Sequence, residues 1–299
     1  MNKVIINEKD NVGVCLDGNE QIPAGHKYAL RDIAKDTYVI KYGEIIGRAT
    51  QDIQAGEWVH THNVKSHLDE SVEYSYNFQA AVPQKSKATF LGYKRAWGRA
   101  GIRNDIYIIP TVGCVNNVCI RMANEAQKYL SGSIDGVYAL THQFGCSQLG
   151  EDNENIKQLL CSIALNPNAS FVLFVGLGCE NNGLDGIKEY LAPYNRDNIA
   201  YFNSQDVEDE HAYGMEILKG FIDKAKDLQR EEVDFSELCI GLKCGGSDGY
   251  SGLTANPLVG KISDKIVGAG GSAILTEVPE MFGAEQLLMN KCESTEVFE

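Results

Sequence analysis

The first seventy or so positions carry short apolar runs, each closed by a Gly, Asp or Pro turn. Val4–Ile6, Val12–Leu16, Tyr38–Lys41 and Trp58–His60 read as strands on this pattern. Only Arg31–Lys35 offers a helix, of a turn or two. The pattern predicts a small, mostly β domain over residues 1–72. Residues 73–89, EYSYNFQAAVPQKSKAT, lose all period and carry a Pro, as an extended linker does.

From Phe90 the grammar changes. Continuous apolar runs end in Gly-containing polar turns, and helix-period segments follow them. The strands are expected at Ile106–Ile109, Val137–Leu140, Phe171–Val175, Ile199–Phe202, Leu238–Ile240 and Ala273–Leu275. The matching helices fall near Val118–Tyr129, Asn153–Leu165, Gly186–Leu191, Ala212–Leu228, Pro257–Gly268 and Gly283–Lys291. Uninterrupted apolar strands alternating with helices imply a mainly parallel sheet covered on both faces. The predicted class is α/β: the small β domain joined to a larger domain over 90–299 with a mainly parallel sheet and flanking helices. Right-handed crossovers would place every post-strand turn on one edge of that sheet. Cys114, Cys146, Cys179 and Cys244, each in such a turn, are therefore expected on one rim, with Asn116, Asn117, Gln148, Glu180, Asn181, Asp248 and Glu277.

Composition narrows the class. The 299 residues are 43% hydrophobic and 23% charged, which is globular. A net charge of −14 argues against a nucleic-acid groove or an anionic membrane surface as partner. No apolar run approaches the roughly 20 residues needed to span a bilayer, and MNKVIINEKDNVGV has no signal-peptide core. A soluble, cytoplasmic protein is expected. The nine cysteines form no CxxC pair and no small-domain staple pattern, so thiols are expected rather than disulfides.

Several clusters carry chemistry. The stretch GLKCGGSDGYSGLTANP, Gly241–Pro257, follows an apolar run and crowds glycines among Ser, Asp, Tyr, Thr and Asn. Its density of hydrogen-bonding groups favours a ligand loop over a plain glycine connection. His60 and His62 stand at i and i+2 on a strand-like run and share a face. With His26 they suit a divalent metal, the plain alternative being hydrogen-bonded surface histidines. The rim cysteines Cys114, Cys146, Cys179 and Cys244 are an alternative soft-metal or iron–sulfur set, weighed evenly against a structural role. Cys15, Cys161, Cys239 and Cys292 read as core, and Cys119 as helix packing. In GYKRAWGRAGIRN, Lys94, Arg95, Arg99 and Arg103 read as an anion clamp, or else as a solvated basic turn. There is no Walker loop, nicotinamide fingerprint or G-x-S-x-G elbow.

Taken in order, AGHKYALRDI and IKYGEIIGRATQDIQAGEWVHTHN resemble the N-terminal SAF domain of the altronate and galactarate dehydratase family. GYKRAWGRAGIRN, PTVGCVNN, HQFGCSQ, GLGCENN, GLKCGGSDGYSGLTANP and LTEVPEMFGAEQLL resemble the large part of the same family, and TVGCVNN and WVHTHN lie nearest its altronate branch. The resemblance implies a hydro-lyase of hexuronate breakdown that converts D-altronate to 2-dehydro-3-deoxy-D-gluconate with Fe2+ or Mn2+. It assigns Arg99, Arg103, Asn116, Asn117, Ser247 and Asp248 to the substrate. His26, His60 and His62 would hold the metal, and His60, His62, Asp248 and Tyr250 would serve acid–base chemistry. Trp97 stands where the family usually has Asp or Asn, and the chain ends at Glu299 within a helical pattern, short of the family's length, which implies a fragment or short form. The alternatives are a galactarate dehydratase, a sulfolactate sulfo-lyase-like relative, or a non-catalytic sugar-acid-binding fragment. The expected partner is a small sugar acid, with no nucleic acid or membrane and with assembly into a homo-oligomer left open.

Overall fold

The structure, a computed structural model, describes residues 3–66, 74–79, 83–246, 248–277, 281 and 283–299. Two compact units divide the chain, one made of Met1–Ser86 with Cys239–Glu299 and the other of Lys87–Leu238.

The N-terminal part of the first unit is built of short strands: β1 (Lys3–Val4), β2 (Val12–Cys15), β3 (Lys27–Ala29), β4 (Tyr38–Lys41), β5 (Glu44–Ala49), β6 (Trp58–Val59) and β7 (Val64–Lys65). They form an antiparallel sheet in the order β1-β2-β3-β6 and another in the order β4-β5-β7. Val12, Ala29, Ile33, Val39, Ala49, Ile53 and Val59 make a common core. The expected helix at Arg31–Lys35 is instead an extended segment, with Ile33 bridged to Ile53. Two aspartates hold it there reciprocally. Asp32 accepts from the Ala55 N–H and Asp52 from the Lys35 N–H, each at 2.8 Å. These side-chain bonds give the backbone an alternative to a helical turn.

The second unit opens with an antiparallel hairpin, β8 (Thr89–Arg95) and β9 (Gly98–Gly101). Its parallel sheet comprises β10 (Asp105–Pro110), β11 (Gly136–Ala139), β12 (Ala169–Gly176) and β13 (Ile199–Asn203), in the order β11-β10-β12-β13. The helices are α1 (Asn116–Ala126), α2 (Glu151–Ala164), α3 (Leu184–Leu191) and α4 (Glu210–Ala225), and β14 (Glu231–Asp234) pairs with β8. Alternation along the central strands sends apolar side chains to both faces. Ile106, Ile108, Leu173 and Val175 join Met122 of α1 and Leu218 and Phe221 of α4. Ile109, Val172 and Phe174 join Leu160 of α2 and Ile187 and Leu191 of α3 on the other side. This two-sided burial is why the strands read as unbroken apolar runs. Cys119 and Cys161 lie within these cores, and burial pushes both thiols up to about 12.

The chain then returns to the first unit with β15 (Cys239–Leu242), α5 (Ala255–Gly268) and β16 (Ser272–Leu275), followed by α6 (Glu285–Met289) and α7 (Thr295–Phe298). Strands β15 and β16 pair in parallel in a sheet of their own. The sequence pattern alone places them in the larger sheet. Parallel strands joined by a helix carry the same local signature wherever they pair, so the pattern could not separate the sheets. A consequence is that Cys239, expected in the core, is exposed at the start of a two-stranded sheet; Cys292, also expected in the core, lies after α6 and is half-buried. Residues 74–79, within the expected linker, lie against the chain's last helices. The Gln79 N–H donates to the Asn290 carbonyl at 2.8 Å, and the Tyr76 hydroxyl to the Cys292 carbonyl at 2.8 Å.

Candidate functional site

In the first unit the sequence gathers three imidazoles around one indole. Trp58 opens β6, His26 precedes β3, and antiparallel pairing sets Lys27 opposite Val59, so the start of β3 meets the end of β6. The Trp58 ring centroid lies 5.5 Å from that of His26 and 5.2 Å from those of His60 and His62, and His26 and His60 are 5.3 Å apart. Buried Asn63 closes the turn that presents His60 and His62. It accepts from the His60 N–H and donates to the Trp58 carbonyl, both at 2.9 Å. The Trp58 indole N–H donates to His26 Nδ1 at 3.2 Å, and His60 Nδ1 lies 3.0 Å from the Thr61 hydroxyl. Desolvation, then the neighbouring His26, Lys27 and His62, lower the pKa of His60, so its imidazole is held neutral at pH 7.

The expected metal fits this cluster poorly. Among the described residues no group of three or more His, Cys, Asp or Glu side chains is placed to hold a metal ion. The indole bond occupies the His26 Nδ1 lone pair, leaving the ring's proton on Nε2. His67, which follows the cluster in sequence, lies outside the described residues.

The glycine-rich loop meets the turn that carries His26 backbone to backbone. Gly25 has φ +79°, and a Cβ there would lie 3.3 Å from the Gly249 Cα. The Tyr250 hydroxyl donates to the Leu16 carbonyl at 2.7 Å, and Asp248 accepts from the Tyr250 N–H at 2.7 Å. Tyr250 is therefore a tether between loop and β domain, its hydroxyl proton already directed at a carbonyl. Ser247 lies outside the described residues. Beside the loop is a cavity of about 790 Å³, lined among others by Cys244, Gly245, Asp248, Ser251, Asn256 and Glu277. Lys243, not singled out in the sequence, sits 3.1 Å from Glu277, which also accepts from the Cys244 N–H at 3.0 Å. The Lys243 ammonium and then the Cys244 N–H keep the Glu277 carboxyl below its ordinary range. Glu277 itself has φ +62°, an uncommon conformation for a residue with a side chain.

In the second unit the post-strand turns do share the carboxyl edge of one sheet. The Gly113 N–H donates to the Phe144 carbonyl, and Asn116 to the His142 carbonyl at 2.6 Å. The Ser147 N–H donates to Asn181 at 3.0 Å. Cys114, Cys146 and Cys179 stand exposed on these turns, and Asn117 begins α1 beside Asn116. Cys244 is not part of this rim, because it follows β15 of the separate sheet. His142 offers no base to these thiols. Its Nε2 faces the Pro110 carbonyl at 2.8 Å, and its Nδ1 accepts from the Phe144 N–H.

The expected anion clamp comes apart. Arg103 forks onto Asp105, with Nε–Oδ2 at 2.8 Å and Nη2–Oδ1 at 3.0 Å, and also reaches the Tyr138 hydroxyl. This pairing with Asp105 raises the Arg103 pKa above its ordinary value. Asp105 is the first residue of β10, at the amino end of the strand rather than at the post-strand rim. Arg95 is buried and donates to the Pro167 and Arg103 carbonyls, and burial lowers it to about 10. Lys94 pairs with Glu231 at 3.5 Å. Arg99 is exposed on β9. Trp97 has a structural partner, the Arg196 guanidinium 3.6 Å above its ring.

The fold thus defines an SAF-type β module together with a parallel α/β unit. Residues 15–67 match the altronate/galactarate dehydratase SAF domain. Residues 92–226 match the D-galactarate dehydratase/altronate hydrolase second domain, and residues 235–299 the D-galactarate/altronate dehydratase C-terminal domain. The chain belongs to the altronate and galactarate dehydratase family. It is 47% identical over 291 residues to the altronate dehydratase of Bacillus subtilis (strain 168), covering 96% of this chain and 58% of that protein. It is 43% identical over 294 residues to the altronate dehydratase of Escherichia coli (strain K12), covering 97% and 59%. Similarity to the galactarate dehydratase (L-threo-forming) of Escherichia coli (strain K12) is 30% over 331 residues, covering 98% and 62%. The chain therefore spans under two thirds of the length of these relatives.

Proposed function

We propose that this protein takes part in dehydrating a sugar acid, D-altronate, to 2-dehydro-3-deoxy-D-gluconate, a step of hexuronate breakdown in the cytoplasm. The observation that carries the reading is identity of 43–47% to two altronate dehydratases across 96–97% of this chain. The galactarate alternative has 30% and is the weaker.

The reaction removes the proton from C2 of the hydroxy acid and expels the hydroxyl from C3 as water. The resulting enol becomes the 2-keto acid by taking a proton at C3. It needs a base, an acid and relief of charge on the enediolate. His60 suits the base, since its environment keeps the imidazole neutral near pH 7 and able to accept a proton. His62 and Asp248 are the candidates for proton return to the leaving hydroxyl. Asp248, in the glycine-rich loop, is a candidate contact for a substrate hydroxyl. Asn116, Asn117 and exposed Arg99 are further candidate substrate contacts. Fe2+ or Mn2+ would supply charge neutralisation at the enediolate. His26, His60 and His62 as placed are not its ligand set.

The test is anaerobic incubation with Fe2+ or Mn2+ and a panel of aldonates and aldarates, with detection of 2-keto-3-deoxy products. D-altronate is expected to turn over fastest. Preference for galactarate would move the reading to the sister activity, and inert behaviour toward every sugar acid would sink it. Chelation should abolish turnover, and added Fe2+ or Mn2+ should restore it.

A further inference from the structure

A second cavity, of about 320 Å³, lies in the Lys87–Leu238 unit at the carboxyl ends of β12 and β13. That volume is at the lower end of the range for small-molecule sites, about 300–1,000 Å³. The carboxyl edge of a parallel sheet is where open α/β folds place their ligands. The lining includes Asn153, Asn182, Asn203, Glu180 and Lys157, with Leu184 as a rare apolar member. Gly178, Gly183 and Gly186 leave the walls without side chains.

Two features mark it as built for a ligand. Asn182 is 2% exposed, and neither its amide nitrogen nor its amide oxygen has a hydrogen-bond partner. The buried Asn153 oxygen lacks one as well. A buried, unpartnered amide is costly and calls for an explanation. The amino end of α3 borders the same cavity, and its cap residue, Gly183, makes no side-chain bond to the helix. Unclaimed N–H groups there favour an anionic end of a ligand.

The remaining groups decide the chemistry. Glu180 is held by its surroundings. Burial pushes its pKa up, but the Thr111 hydroxyl and the N–H groups of Glu180, Gly178 and Leu177 outweigh burial and keep it ionised. Lys157 is the cation of the wall, its ammonium 2.7 Å from Glu154, while Asp185, also in the wall and in the first turn of α3, has a fully exposed side chain paired with Lys188 at 3.3 Å. Amides with both donors and acceptors suit alternating hydroxyls, each of which donates and accepts. With almost no apolar wall, a hydrophobic ligand gains little here.

From these features we infer that this cavity binds the hydroxyl-bearing chain of an acyclic sugar acid, with the carboxylate toward Lys157 and the amino end of α3. Asn182 is the specificity-determining contact. The inference rests on the sugar-acid reading above.

Asn182→Leu in the full-length protein separates ligand binding from structure. Replacing an unpartnered buried amide with an apolar group of similar size should raise Tm in either case. If the amide meets substrate, KM for D-altronate rises about tenfold or more with kcat little changed, and calorimetric binding of D-altronate weakens in parallel. Unchanged KM and binding at a raised Tm overturn the inference. Asn153→Ala, on helix α2, should weaken binding several-fold and covers the case in which Asn182→Leu does not fold; unchanged binding there also counts against the site. If the wild-type protein turns over no sugar acid, the functional reading fails separately. Calorimetry with D-altronate then decides the cavity alone: binding weakened by Asn182→Leu supports it, and no wild-type binding overturns it.

Discussion

His60 is the residue where environment and chemistry meet most closely. Desolvation and the adjoining His26, Lys27 and His62 all disfavour its protonated form. Its titration by NMR should therefore fall below the ordinary value of about 6.5, and His26→Ala should move it upward. The sign for stability follows from the depressed pKa of a base. Above about 6.5 both folded and unfolded forms are neutral; as pH falls through that value the unfolded chain takes up the proton first and stability is lost. A melting temperature that stayed flat from pH 7 to 5 in the wild type and in His60→Ala alike would contradict this. Arg103 shows the opposite lesson. Its position among other basic residues suggested a substrate clamp, but the sequence also placed Asp105 two residues away, and the two groups satisfy each other. Asp105→Asn should cost about 1–3 kcal/mol in thermal denaturation and leave KM for D-altronate unchanged. A raised KM with unchanged stability would return Arg103 to the substrate.

At the scale of elements, the glycine-rich loop is defined by its contacts with the β domain. The backbones of Gly25 and Gly249 touch, and Tyr250 bonds to Leu16. Tyr250→Phe should lower stability by about 1 kcal/mol and loosen the loop, read as faster hydrogen exchange at the Ser251 and Gly252 amides. Equal exchange in both proteins would remove the tether. The loop, the parallel strands and the sharing of an edge by Cys114, Cys146 and Cys179 were legible in the sequence, because two-sided burial and glycine-rich turns leave strong local patterns. The β8–β9 hairpin was not. Its basic residues mask the alternation, since Arg95 is buried against backbone carbonyls instead of facing water. Nor could pattern show that β15 pairs with β16 alone, because pairing partners are a non-local property. The buried Asn182 amide was equally silent, as nothing in GLGCENNG separates an asparagine in a turn from one lining a cavity.

As a whole molecule, the chain joins in sequence an SAF-type module and a parallel α/β unit of the dehydratase family. No described helix is long and apolar enough to cross a membrane. The most direct test is to incubate the protein with D-altronate and Fe2+ or Mn2+ in D2O and follow the sugar acid by NMR. The account predicts loss of the C2 proton signal and appearance of 2-dehydro-3-deoxy-D-gluconate carrying one deuteron at C3. D-altronate that persists unchanged, with its C2 proton intact at every metal loading, would contradict it.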